Sequence, residues 1–191
     1  MHPILLAFGL AAVLAAAPPE SGQIRDPAFE LEGRAGKLSL WNDCGNVPVS
    51  LERMSADAGR WAVVMGATGT GEISGNSGIC QQVVVPMAAR VFLQFWARAS
   101  STEADGKRAY QEVSFYDGTS RMDWSAPMQT LVHDVVTTHG RQLFTFDVTP
   151  LAGQTLYLYL GVHGDGNASA QTTFAVDNVS FVVESPLHRV N

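Results

Sequence analysis

Residues 172–183 read TTFAVDNVSFVV, a run of β-branched and aromatic residues with an acid, Asp177, at its centre. That composition and length predict a strand, and side chains along a strand alternate between two faces. Strict alternation puts Asp177 on the same face as Ala175, Val179, Phe181 and Val183. The face is apolar, so the carboxylate needs a partner, because an unpaired charge there is costly.

The residues around this run extend the same pattern. After about residue 24 no stretch sustains a helical period. Short apolar runs instead alternate with Gly, Pro, Asn, Asp and Ser clusters. The clearest are WAVVM (61–65), ICQQVVV (79–85), VFLQFWARA (91–99), AYQEVSFY (109–116), QLFTFDV (142–148), TLYLYLGVH (155–163) and the closing run itself, with MQTLVHDVV as a further candidate. Such a series predicts an all-β sandwich or barrel. The glycine-rich GATGTGEISGNSG (66–78) has neither the Lys nor the following helix of a phosphate cradle and reads as a mobile loop.

Alternation within the runs separates core from surface. Val91, Leu93, Phe95 and Ala97 turn inward, leaving Phe92, Gln94, Trp96 and Arg98 outside. Likewise Leu156, Leu158, Leu160 and Val162 turn inward, leaving Tyr157, Tyr159 and His163 outside. Val113 and Phe115 point in, while Tyr110, Glu112, Ser114 and Tyr116 point out. These outward residues predict one sheet surface carrying aromatics mixed with Gln, Glu, Arg and His. Aromatic rings stack on the apolar C–H patches of sugars, and polar neighbours satisfy the hydroxyls. Trp96, Arg98, Glu112, Tyr157 and Tyr159 therefore form a candidate carbohydrate site, with Trp124 of the loop RMDWSAP at its rim. The alternative is that loops or the tail cover this surface and make it a second small core.

Composition narrows the function classes. The chain has 191 residues, 46% of them hydrophobic, and 18 acids against 12 scattered bases give a formal charge of -6. This carries no nucleic-acid footprint. Residues 1–17 have the apolar stretch Ile4–Ala17 of a signal peptide, too short to span a membrane stably, which predicts a secreted or periplasmic protein. Residues 18–24 read as a linker, 25–184 as the domain and 185–191 as a tail. The two cysteines, Cys44 and Cys80, lack metal spacing and predict a disulfide worth about 3–4 kcal/mol in the chain-entropy model. No G-x-S-x-G elbow, H-E-x-x-H or Walker loop is present. A lone strand carboxylate such as Glu112 reads as a binding or surface residue, so the expectation is a non-enzyme with no catalytic residue.

Three short motifs carry a family resemblance. Asp26-Pro27-Ala28-Phe29-Glu30 followed by Trp41 opens the domain, Ala58-Gly59-Arg60-Trp61 leads into a strand, and Asp177-Asn178-Val179 closes it. In this order they resemble the CenC-like jelly-roll carbohydrate-binding modules of the galactose-binding-domain-like superfamily, over about residues 25–183. The resemblance implies an antiparallel β-sandwich of jelly-roll type, with Trp41 and Trp61 in the core. It also implies a structural calcium ion held by Glu30, Asp177 and the segment around Asp57, an oxygen-rich donor set suited to that ion. Asp177 would then have its countercharge; backbone amides, or an arginine such as Arg25 or Arg60, would serve as well. The expected function is non-catalytic binding of a carbohydrate or glycan. A structural or protein-interaction β-sandwich of the cell envelope is the alternative, and a small glycan-cleaving enzyme the third reading.

Overall fold

The computed structural model describes residues 23–53, 61–66, 74–102, 109–119, 123, 125–166 and 171–184. The expected leader, nearly all of the linker, the tail, Asp57 and Trp124 lie outside the described residues. Among the described residues one short α-helix, α1 (Glu30–Ala35), precedes ten strands: β1 (Asn42–Asp43), β2 (Ser50–Arg53), β3 (Trp61–Gly66), β4 (Ser74–Val84), β5 (Arg90–Ser101), β6 (Tyr110–Asp117), β7 (Gln129–Val135), β8 (His139–Asp147), β9 (Thr155–Asp165) and β10 (Thr172–Glu184). Each predicted run is a strand, and MQTLVHDVV supplies β7. In the glycine-rich stretch Ser74–Gly78 is already β4, paired with β9 as far as Ser74↔Asp165, and residues 67–73 lie outside the described residues.

The strands form two five-stranded sheets, a front sheet ordered β1-β4-β9-β6-β7 and a back sheet ordered β2-β3-β10-β5-β8. Pairings are antiparallel and nested. The hairpin β6–β7 is innermost, followed by β5–β8, β4–β9 and β3–β10, so the domain is one long folded ribbon. Wrapping the ribbon brings β6 onto β9 and β10 onto β5, which closes a jelly roll. The inner faces are those the alternation predicts: Leu93, Phe95, Val113, Phe115, Leu158 and Leu160 are fully buried between the sheets.

The closing strand departs from strict alternation. Asp177 pairs with Trp96 but Ser180 pairs with Gln94, so β10 carries one extra residue, a β-bulge, at which Asn178 adopts a positive φ of 53°. Before the bulge Asp177 lies with Ala175 on the outer face of the back sheet; after it Val179 and Phe181 turn into the core. Asp177 therefore does not share the apolar inner face, which corrects the simple strand reading.

The opening motif folds onto this bulge, where the Val179 N–H donates to the Pro27 carbonyl at 2.9 Å. Its six-residue helix is too short to show a period in the sequence. The Asp26 carboxylate forms it, accepting the N–H groups of Glu30, Leu31 and Glu32, each at 3.0 Å. Glu32 is fully buried, and its Oε1 accepts the N–H groups of Ser39, Leu40 and Trp41 at 2.8, 2.7 and 2.8 Å. Removing that carboxylate would leave three amides without an acceptor, at about 1–3 kcal/mol each where they are buried. Phe29 and Trp41 pack with ring centroids 5.4 Å apart inside the core, and Trp61 is half-buried against it.

Cys44 and Cys80 form the expected disulfide, with Cα atoms 5.7 Å apart, and fasten the two-residue β1 to the front sheet.

Candidate functional site

The register of the front sheet arranges its outer face in rows. Asn76, His163 and Tyr110 lie side by side on β4, β9 and β6; Gly78, Gly161, Glu112 and His133 form the next row; Cys80, Tyr159, Ser114 and Thr130 the third. In the first two rows the Tyr110 ring is held between two imidazoles, with centroids 4.3 Å from His133 and 4.9 Å from His163. The His163 Nδ1 meets the Asn76 Oδ1, and the Asn76 N–H in turn donates to the Asn46 Oδ1 at 2.7 Å. Glu112 accepts the Tyr116 O–H at 2.6 Å. Tyr110, Glu112, His163 and Asn76 are half-buried and His133 is exposed. The result is a partly open patch with one aromatic ring and several fixed polar groups.

The third row is closed. Tyr159 lies flat over the Gly78–Gly161 pair, where a Cβ on either residue would come within 2.5 Å of its ring or hydroxyl. With Tyr116, at 6.3 Å and edge-on, and the disulfide, Tyr159 makes a small buried cluster on the outside of the sheet. Burial, followed by the charge of Glu112, pushes the Tyr110 and Tyr159 hydroxyls up from their usual range. Tyr116 is raised by burial first, then by its hydrogen bond to Glu112.

The single aromatic surface expected from the sequence is divided between two sheets. Glu112 and the half-buried Tyr157 lie on the front sheet with Tyr159, and Tyr159 is only 2% exposed. Trp96 and Arg98 lie on the outer face of the back sheet, where the Arg141 guanidinium sits 4.3 Å over the Trp96 ring and Arg98 is 3.6 Å from Glu52. Parity marks each of these residues as outward but does not say which sheet a strand joins. Sequence reasoning turned Tyr110 and His163 outward without selecting them. His133 reads from sequence as a solvated polar residue, and Asn76 was hidden inside the apparent glycine loop. Their common signal is the cross-strand register, which appears only once β4, β9, β6 and β7 are paired.

At the bulge, Asp177 is 4% exposed, its Oδ2 lies 3.8 Å from Arg141, and its buried Oδ1 has no hydrogen-bond partner. Among the described residues the arginine beside it is Arg141, rather than Arg25; Arg60 lies outside the described residues. Burial pushes the Asp177 carboxyl up to about 6; the Asn178 backbone N–H and Arg141 oppose the shift, and the charge of Glu30 adds to it. Glu30 and Asp177 carry oxygen donors of the type calcium takes, and the Asp177 Oδ1 is buried without a hydrogen-bond partner. No group of three or more His, Cys, Asp or Glu side chains converges among the described residues.

No protein-family model matches the chain, and no curated protein matches it. Solved structures share its fold. TmCBM61 in complex with β-1,4-galactotriose superposes with a TM-score of 0.57 at 16% identity, covering 86% of this chain and all of that one. The K1 cleaved adhesin domain of Lys-gingipain from Porphyromonas gingivalis W83 gives 0.55 at 14% identity, covering 83% of this chain and 96% of that one. The CBM22-1 xylan-binding domain of Paenibacillus barcinonensis Xyn10C gives 0.51 at 18% identity, covering 90% and 99%.

The Asp177 environment sets a pH dependence of folding. With its native pKa raised to about 6 from the usual 3.8, the folded state keeps a proton that the unfolded chain has already released. Stability contributed by this group therefore falls as pH rises from about 4 to about 6. In chelator-treated protein, urea midpoints of the wild type should decline across this window relative to Asp177→Asn. Parallel pH profiles for the two proteins would contradict the assignment.

Proposed function

We propose that this chain is an exported, non-catalytic glycan-binding module that takes its ligand on the outer face of the front sheet. The observation that carries the reading is the Tyr110 ring fixed between His133 and His163, with Glu112 beside it on the same partly open face. A pyranose ring can rest its C–H patch across the open edge of this row of three rings while its hydroxyls reach the imidazoles, the carboxylate and Asn76. Trp96 lies on the other sheet, with Arg141 4.3 Å over its indole and drawn toward Asp177. The disulfide and the apolar leader support export, because disulfides persist in oxidising compartments. Two of the similar folds are described by what they bind, β-1,4-galactotriose and xylan, and these are the first ligands to test.

Calorimetric titration with β-1,4-galactotriose and with xylo-oligosaccharides should detect binding. Tyr110→Ala should weaken it about tenfold or more, and Trp96→Ala should leave it unchanged. The reverse pattern would move the site to the back sheet. No binding to these or to any other glycan would favour a protein-interaction module.

The proposal includes a structural calcium ion held by Glu30 and Asp177, which would relieve the repulsion between the two acids and supply a partner for the buried Asp177 oxygen. Excess calcium should raise the melting temperature over that in chelator, by roughly 5 °C if the ion is present at about a hundred times its dissociation constant. The rise should be lost in Asp177→Asn. Identical melting curves in calcium and in chelator would refute the ion.

A further inference from the structure

We propose that the front face selects neutral glycans and rejects anionic ones such as uronates and sulfated sugars; this rests on the glycan-binding reading above. Two observations carry it, the distribution of charge between the sheets and the acceptor character of Glu112 at the centre of the face.

The register places Glu112 on the outer face of the front sheet, and the strands of that sheet contain neither Lys nor Arg. The arginines found on strands, Arg53, Arg90, Arg98 and Arg141, all belong to the back sheet, where acids accompany them. Glu112 stands at the centre of the front face, in the row next to Tyr110, and its charge reaches all three neighbouring phenols. A like charge brought onto this surface meets repulsion with no arginine or lysine on these strands to offset it.

The polar groups point the same way. Glu112 accepts one hydrogen bond from Tyr116, and an ionised carboxylate has acceptor capacity for more. An amide oxygen only accepts, so the His163 Nδ1 beside the Asn76 Oδ1 carries the hydrogen of that bond. Sugar hydroxyls can donate to Glu112. A carboxylate or sulfate has only acceptors and would meet an acceptor there.

The experiment compares β-1,4-galactotriose with its sulfated form, and a xylo-oligosaccharide with the same chain bearing a glucuronic acid branch, by calorimetry at low and high salt. The neutral member of each pair should bind at least about fivefold tighter at low salt, and the ratio should shrink as salt screens the charge. Glu112→Gln should narrow the ratio at low salt. It keeps an oxygen for Tyr116 while removing the charge and adding an N–H donor. Equal or tighter binding of the anionic member, or a ratio that Glu112→Gln does not move, would overturn the selectivity while leaving glycan binding intact. Failure of every member to bind would remove both.

Discussion

The extra residue in β10 is the constraint around which the ends of the domain are organised. Asn178 takes a positive φ, and that one step turns Asp177 outward and Val179 and Phe181 inward on a single continuous strand. The freed Val179 N–H then donates to the Pro27 carbonyl, bringing the opening motif against the closing one. From there the order is local: Asp26 caps α1, Glu32 holds the backbone that follows it, and Trp41 is placed in the core. The carboxylate that looked misplaced in an apolar strand therefore lies at the junction between the first and last parts of the domain.

The jelly roll leaves two outer faces of different character. On the back sheet, aromatic and charged groups are used against one another: Arg141 covers Trp96 and approaches Asp177, and Arg98 approaches Glu52. On the front sheet, one row is closed by Tyr159, Tyr116 and the disulfide, while the rows beside it keep Tyr110, Glu112, Asn76 and two imidazoles partly open. The closed row supports the open ones, since the Tyr116 hydroxyl fixes Glu112. Closed and partly open rows thus lie side by side on the same face.

Much of the fold was legible because the side-chain period of a strand is local. Leu93, Phe95, Leu158 and Leu160 could be placed in the core from alternation alone, and the disulfide from two cysteines without metal spacing. The helix α1 was not, because six residues held by a single aspartate leave no periodic trace. The position of Asp177 was misread because a bulge is one residue long and breaks parity without changing composition. The site was half legible. Outwardness of Trp96, Glu112 and Tyr157 followed from parity, yet their division between two sheets depends on pairing between strands far apart in sequence. Asn76 illustrates the same limit, being a strand residue in a stretch whose glycines read as a loop.

The central claim is that the outer face of the front sheet holds the ligand, and mapping backbone amide shifts during titration with β-1,4-galactotriose tests it directly. The account predicts saturable shifts concentrated at Asn76, Tyr110, Glu112, His133 and His163, with Trp96 and Arg141 unmoved. Shifts centred on Trp96 and Arg141 instead would contradict it.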